Sequence, residues 1–215
     1  CHYPKYTLSV AARVNDEGTG VYVADYLSGK PLDKVDMTLY KGDRKVAEAS
    51  GVVLDGFTPL PQEMASRLTE NASGHYLVCS TVGGDGMVRR SQDVYLSAEK
   101  SFDVKEGAAA RAAVMLDRAA FAPGETVKFK AVLYECLPDG TMQVMPEGEK
   151  VSVTLQDISL NVLAEKELKT NEFGSVAGEF VLDGIRRNGR HSISIHSGNK
   201  RIGLTELTVD EFVLP

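Results

Sequence analysis

Alternation of apolar and polar residues along short segments is the feature that most constrains this fold. Residues 151–156 read Val-Ser-Val-Thr-Leu-Gln, and residues 191–196 read His-Ser-Ile-Ser-Ile-His. A strand sends successive side chains to opposite faces, so a period of two indicates strands with one buried face. Similar alternation occurs at 35–40, 76–81 and 127–134. The sequence therefore predicts a protein built mainly from strands.

Turn-forming residues separate these strands at short intervals, and helical periodicity is nearly absent. The best helical candidate is 61–69, where Met64 and Leu68 are four residues apart, and it amounts to about two turns. Many short strands divided by turns are typical of antiparallel sandwiches rather than βαβ units. We expect an all-β fold of two tandem immunoglobulin- or fibronectin-like antiparallel β-sandwiches. The turns are predicted at 28–31, 41–43, 83–86, 138–140 and 197–199.

The length of 215 residues suits one large domain or two of about 100 residues. One strand-rich block closes near residue 96, a polar connector follows at 98–101, and a second block opens at Arg111. We therefore predict one sandwich over 1–105 and another over 106–215. Limited proteolysis is expected to cut first between 98 and 108.

Composition excludes several classes of function. The chain is 43% hydrophobic and 25% charged, which is typical of globular proteins, and its net charge of −6 argues against a nucleic-acid partner. No apolar run approaches the roughly 20 residues of a membrane-spanning helix, so no direct membrane insertion is expected. Three cysteines cannot build a disulfide framework. Cys79 and Cys136 are interpreted as buried thiols in apolar strands.

The search for reactive groups gives no catalytic residue, no cofactor-binding residue and no metal site. His191 and His196 are five apart on one predicted strand, so they face opposite sides and cannot chelate one metal without a bulge. Residues 83–86 are a hairpin turn rather than a phosphate loop, because no helix follows. No Cys-x-x-Cys, His-Glu-x-x-His or Gly-x-Ser-x-Gly pattern occurs. We therefore expect that the protein is not an enzyme.

Three segments stand out as motifs, at 116–130, 170–180 and 209–215. The first resembles the signature Asp-Arg-x-x-Tyr-Arg-Pro-Gly-x-Thr-Val-x-x-Lys of the alpha-2-macroglobulin family. The second resembles a later Thr-Asn-x-x-Gly segment of that family that ends in Phe, especially in bacterial members, and the third resembles the end of such a domain. The generic turns at 24–32 and the strand at 35–40 resemble the preceding domain. The motif residues are Asp117, Arg118, Phe121, Pro123, Gly124, Thr126 and Val127 in the first segment, and Thr170, Asn171, Phe173, Gly174 and Phe180 in the second.

These motif residues also have physical explanations. Pro123-Gly124 is a turn pair, in which Pro fixes one φ and Gly frees the next. Asp117 and Arg118 either bridge two strand ends or form a solvated pair of little energetic value. Gly174 is available for a positive φ. Phe173 and Phe180 are expected to cover the end of the core. The chain departs from the signature where Phe121 and Ala122 replace the usual Tyr and Arg, which removes a hydroxyl and a guanidinium from this corner.

The resemblance implies scaffold domains of a long protease-trapping protein. In that family a protease cuts a bait segment, the scaffold collapses and the protease is entrapped, often with help from a Cys-x-Glu-Gln thioester. The Cys-x-Glu-Gln pattern does not begin at Cys1, Cys79 or Cys136. The sequence also has no long irregular insert of the kind expected for a bait segment. The implied partners are other domains of the same long chain and, indirectly, a target protease. The implied location is the periplasm or outer cell envelope, with a lipid anchor in the parent protein.

Two alternatives stay open. Cys1 could be the lipid-bearing first residue of a lipoprotein, but no flexible tether follows it, and a segment cut from a longer chain is the preferred interpretation. The chain could instead be a tandem immunoglobulin-like adhesion or carbohydrate-binding module. Such a module should carry an exposed aromatic platform or a carboxylate calcium cluster. The sequence has no tryptophan, and its eight tyrosines mostly fall within strand patterns, so this hypothesis has less support.

Overall fold

The computed structural model describes residues 6–15, 18–96, 109–137, 141–183 and 188–210. These residues form sixteen strands and one helix. In chain order they are β1 (Leu8–Asn15), β2 (Gly18–Asp25), β3 (Lys34–Lys41), β4 (Arg44–Val53), α1 (Gln62–Glu70), β5 (His75–Val82), β6 (Val88–Arg90), β7 (Val94–Tyr95), β8 (Ala109–Leu116), β9 (Ala120–Phe121), β10 (Thr126–Cys136), β11 (Met142–Val144), β12 (Lys150–Asp157), β13 (Val162–Lys169), β14 (Ser175–Val181), β15 (Gly189–Ser197) and β16 (Lys200–Val209).

The chain divides into two compact units. The first unit comprises Cys1–Ala109 with Glu135–Gln143, and the second comprises Ala110–Tyr134 with Val144–Pro215. The strands pair almost entirely antiparallel, so the predicted all-β class is confirmed. The predicted domain bounds at 105 and 106, and the expected first cleavage at 98–108, lie outside the described residues and stay predictions. The same holds for Cys1 and for most of the closing motif at 209–215.

The first unit contains a β1–β2 hairpin and a sheet in the order β4-β3-β5-β6, with β7 also paired to β5. The alternation predicted on β3 holds, because Val35, Met37 and Leu39 are at most 2% exposed while Asp36 is exposed. The two-turn helix also forms, as α1, and it buries Met64 and Leu68 in the core of this unit. The helix is therefore held by packing of one face rather than by its length.

The second unit is a sandwich of two sheets. One has the order β13-β12-β15-β16-β9, and in the other β10 pairs with both β14 and β8. The predicted inward residues lie in its core, at most 3% exposed: Val127, Phe129, Ala131, Leu133, Val151, Val153, Leu155, Ile193 and Ile195.

Glycines allow close approach inside this sandwich. Gly178 lies opposite Phe129 in the β10–β14 register, and a Cβ there would sit 2.6 Å from the Phe129 ring. A Cβ on Gly203 would sit 2.6 Å from the carbonyl oxygen of Ala112 on β8. The Phe129 ring then stacks on Phe180 with centroids 5.4 Å apart. Close backbone approach and aromatic packing thus close the core around β8, β10, β14 and β16.

Candidate functional site

The Pro123-Gly124 corner is a tight turn that leads into β10. Gly124 has φ +85°, and the Glu125 N–H donates to the carbonyl oxygen of Ala122 at 3.2 Å. Pro at the first central position and a positive φ at the second define a type II turn. The Gly124 N–H donates to the Leu182 carbonyl and the Leu182 N–H donates to the Glu125 carbonyl, both at 2.8 Å. The turn is therefore bonded to the residue that follows β14.

Asp117 joins the end of β8 to β10. Its Oδ1 accepts the backbone N–H of Lys128 at 3.1 Å, and its own N–H donates to the Lys128 carbonyl at 3.2 Å. Of the two roles that the sequence left open for this residue, the structure has the bridging one. The carboxylate extends the β8–β10 pairing by one residue beyond the strand.

Arg118 bonds across the turn. Its Nη2 donates to Glu125 Oε2, and its guanidinium carbon lies 4.6 Å from the centroid of the Phe121 ring. The second carboxylate oxygen of Glu125, Oε1, accepts the Ala122 N–H at 3.0 Å. This backbone hydrogen bond, followed by the hydrogen bond and charge of Arg118, lowers the pKa of Glu125. The Arg118 guanidinium thus stabilises the turn by contacting both the Glu125 carboxylate and the face of the Phe121 ring.

Glu125 is the corner residue that the sequence analysis missed. It occupies a variable position of the signature, and the signal for it was a carboxylate directly after Pro-Gly and seven residues after Arg118. Phe121, which replaces the usual Tyr, is fully buried, and its carbonyl accepts the Asp210 N–H at 3.0 Å. The tyrosine hydroxyl is absent, but the Arg118–Glu125 ion pair and the buried Phe121 ring occupy this corner. Thr126 and Val127 begin β10, with Val127 buried.

The second motif forms a turn before β14. Asn171 Oδ1 accepts the N–H groups of Phe173 and Ser175, both at 2.9 Å. Gly174 has φ +73°, and a Cβ there would sit 2.8 Å from the carbonyl oxygen of Met145. Glycine is therefore required twice at this position, once by the backbone angle and once by the space available.

Thr170 anchors the loop that precedes β12. Its hydroxyl is buried, donates to the Pro146 carbonyl at 2.7 Å and accepts the Glu149 N–H at 2.9 Å. Of the two aromatic residues expected over the core end, Phe180 is in the core and Phe173 is partly exposed outside it. The motif therefore fixes a loop and a strand start.

The two motifs lie at opposite ends of one strand pair. In the β10–β14 register, Ser175 next to the Asn171 turn pairs with Val132, and Val181 next to the Pro123 corner pairs with Thr126. Six residues of extended strand separate these pairs, about 20 Å. The motifs therefore build two corners of one sandwich, and the structure does not bring them together into a single site.

Reactive chemistry is sparse in the described ranges. His191 faces the core at 3% exposure, and His196 lies on the other face, where its Nε2 is 3.0 Å from Ser194 Oγ. Burial raises the pKa of Cys79 to about 12, which keeps it a thiol near neutral pH. Within those ranges no group of three or more His, Cys, Asp or Glu residues could hold a metal ion. No helix among the described residues has the length and apolar character to cross a membrane.

A row of three tyrosines crosses the outer face of the first unit's sheet, and sequence alternation did not reveal it. Tyr40 and Tyr76 stack with centroids 5.0 Å apart and an interplanar angle of 11°, and Tyr76 lies 5.2 Å from Tyr95. Tyr40 and Tyr76 cover one face of each other, whereas the Tyr95 ring is tilted by 44° against Tyr76 and Tyr95 is 72% exposed. The three rings therefore do not form one flat platform of the kind that a sugar ring stacks on.

Comparisons with known proteins identify the second unit. Residues 111–209 match the family model described as MG2 domain. No curated protein matches the sequence. Among solved structures, the native conformation of E. coli alpha-2-macroglobulin aligns at 17% identity over 95% of this chain and 12% of that one, with a TM-score of 0.42. Salmonella alpha-2-macroglobulin reacted with methylamine aligns at 15% identity over 97% of this chain and 13% of that one, with a TM-score of 0.43.

An enzyme also appears among the structural neighbours. A beta-glucosidase from Listeria innocua in complex with isofagomine aligns at 15% identity over 50% of this chain and 17% of that one, with a TM-score of 0.34. The three TM-scores are below 0.5, so the assignment rests on the domain match. The chain spans about one eighth of the length of the two alpha-2-macroglobulins, as their shares of 12% and 13% give.

The matched residues contain both motif corners and the sandwich that they join. They begin within β8 and end at Val209, the last residue of β16. The chain therefore carries, over residues 111–209, an MG2 domain, a macroglobulin scaffold domain of the alpha-2-macroglobulin family.

Proposed function

We propose that this chain forms two consecutive scaffold domains of a bacterial-type alpha-2-macroglobulin-like protein that entraps proteases. The observation that carries the proposal is the MG2 match over 111–209, which includes the Pro123 and Asn171 corners. The first unit is proposed to be a macroglobulin-like sandwich of the same scaffold. Its partners are then other domains of one long polypeptide, and a target protease only indirectly.

The chemistry of the motif residues supports a structural role. Asp117, Thr170 and Asn171 hold backbone groups, and Arg118 is bonded to Glu125 beside a buried ring. None of these side chains is paired with a base in the manner that activates a nucleophile. We infer that these domains hold strands and neighbouring domains in place and do not carry out catalysis.

The test uses the full-length protein that the parent gene encodes. A broad-specificity protease is mixed with it, and cleavage of a large protein substrate is compared with cleavage of a small peptide. Entrapment should reduce cleavage of the large substrate while leaving the small one, because only the small substrate reaches an enclosed protease. An inactivated protease, which cuts no bait, is the control and should not be retained. The proposal would be overturned if the protease cut the large substrate equally fast with and without the full-length protein.

The proposed location is the periplasm or the outer cell envelope, with a lipid anchor in the parent protein. Fractionation of cells that express the tagged full-length protein tests this, and recovery in the cytoplasmic fraction would contradict it. The competing adhesion or carbohydrate-binding function is tested by glycan binding to the 215-residue chain. We expect no binding, because the sequence has no tryptophan and the Tyr40 and Tyr76 rings stack on one another.

A further inference from the structure

The hairpin between β12 and β13 exposes four large apolar side chains. Ile158 is 73% exposed, Leu160 is 70%, Val162 is 56% and Leu163 is 44%. Single exposed apolar side chains are normal on soluble proteins, but four of them within six residues of one hairpin make a candidate interaction surface. We call these four residues the apolar tip.

The apolar tip is held in one conformation by its own hydrogen bonds. Asp157 Oδ1 accepts the N–H groups of Ser159 and Asn161, both at 2.9 Å, and Oδ2 accepts the Asn161 side-chain amide at 3.0 Å. The Leu160 N–H donates to the Asp157 carbonyl at 3.0 Å. These bonds give the tip a defined shape before any partner binds.

Leu160 is poorly suited to its own backbone. Its φ is +65°, a conformation that favours Gly or Asn and penalises a branched side chain. The other hairpin of the same sheet, Ser197–Lys200, has Gly198 at φ +60° and a polar sequence. Local folding therefore explains glycine at 198 and does not explain leucine at 160.

We propose that the apolar tip docks into an apolar surface on another domain of the same polypeptide chain. This inference rests on the proposed function, in which the chain is part of a longer scaffold. The tip exposes on the order of 400 Å² of apolar area, within the few hundred Å² of an ordinary patch. A stable complex between free partners needs about 800 Å² on each side. The tip is too small to hold a second copy, but a domain tethered at millimolar effective concentration needs less surface.

The charges around the tip argue against a membrane as its partner. Asp157, Glu165 and Glu167 flank it along the chain, with Lys166 between the two glutamates. On the neighbouring strand His191 lies opposite Asp157, and Arg190 beside it is paired with Glu206. Surfaces that bind anionic lipids usually carry clusters of Lys and Arg. An uncharged protein surface fits this tip better.

The experiment compares cysteine labelling in two proteins. Leu160→Cys is introduced into the 215-residue chain and into the full-length protein, and maleimide modification at residue 160 is followed by peptide mass spectrometry. Asn199→Cys, on the polar hairpin of the same sheet, is the matched control. Residue 160 should be labelled at least about tenfold more slowly in the full-length protein, which is the effect of burying one side chain under a stable contact. Residue 199 should change much less.

Each other outcome overturns the proposal. Equal labelling of residue 160 in both proteins leaves the tip uncovered. Equal slowing at 160 and 199 shows general covering of the sheet. Protection in the 215-residue chain that rises with its concentration identifies a second copy, and protection that requires phosphatidylglycerol vesicles identifies a membrane. Protease trapping in the same preparations separates the two proposals. An unprotected tip with a trapped protease refutes only the docking, and a protected tip without trapping refutes only the entrapment.

A second variant separates the effect of a substitution on the turn itself from its effect on docking. Leu160→Asn suits the positive φ, so the Tm of the 215-residue chain should stay constant or rise. In the full-length protein the same change removes an anchor, and the unfolding of this domain should shift down by about 2 °C or more. A Tm that moves in the same direction in both proteins would contradict the docking.

Discussion

The turn around Asn171 and the hairpin turn that begins at Asp157 use the same local device. In each, the side-chain oxygen of an Asn or Asp accepts two backbone N–H groups of the following residues. Each turn also contains one residue with positive φ, Gly174 at +73° and Leu160 at +65°. Gly174 is packed against Met145, whereas Leu160 is 70% exposed.

This difference shows that the bend of a turn and the residue type that it requires have separate causes. Side-chain hydrogen bonds are enough to bend the chain in both places. Packing decides which residue can occupy the position, because a Cβ at Gly174 meets backbone atoms 2.8 Å away while Leu160 extends into solvent. Packing and φ therefore restrict position 174 to glycine, whereas packing does not determine the residue at position 160.

The largest predicted effect is that of Gly174→Ala. The new Cβ combines an unfavourable φ with a contact against the Met145 backbone, which cannot rotate away. We expect a loss of about 3 kcal/mol in the free energy of unfolding, from αL strain and overpacking together. Urea unfolding of the 215-residue chain, followed by circular dichroism, measures it.

Gly198→Ala is the matched control for that substitution. Gly198 has φ +60°, but its Cβ would have no atom within 4 Å. The control should therefore lose only the strain, about 1 kcal/mol. If both variants lose the same amount, the packing of Gly174 against Met145 contributes nothing, and the contrast between the two turns fails.

Thr170→Val should have the next largest effect. Valine keeps the shape but removes the donor to the Pro146 carbonyl and the acceptor of the Glu149 N–H. Because the Thr170 hydroxyl is buried, we expect a loss of about 2 kcal/mol in the free energy of unfolding. Thr208→Val, on an exposed position of β16, should change stability by less than about 0.5 kcal/mol. A tolerated Thr170→Val would mean that the loop before β12 is not held by this residue.

Sequence reasoning predicted the parts of the fold that short-range patterns encode. Alternation at 151–156 and 191–196 gave the inward residues, and the Met64–Leu68 spacing gave the helix. The Pro123-Gly124 turn followed from φ preferences alone. Strand order did not follow, because pairing such as β9 with β16 joins residues nearly ninety positions apart. Such pairing depends on the closure of a whole core.

The candidate sites were harder to predict for a related reason. The Arg118–Glu125 contact depends on the turn between them, and the Tyr40–Tyr76–Tyr95 row depends on the register of three strands. The Asp157 turn was missed because Ile158 and Leu160 continue an apolar pattern where a turn usually carries Gly or Pro. Because Leu160 occupies a position where local folding favours Gly or Asn, the sequence lacks the residue type that would have indicated the turn.

The smallest predicted effect concerns the charge of Asp157. The Asn161 side-chain amide, the N–H groups of Asn161 and Ser159, and the charge of His191 lower the pKa of this carboxyl. A lowered pKa in the folded state adds stability above the unfolded pKa of about 3.9, and this stability is lost as the pH falls through the folded value. Asp157→Asn keeps one acceptor but not the charge, so the wild type should be slightly more stable near neutral pH. The difference should shrink below about pH 4, as urea unfolding of both proteins across that range would measure. A difference that stayed constant with pH would show that the charge of Asp157 contributes nothing and that its turn is held by hydrogen bonds alone, as an uncharged Asn holds the Asn171 turn.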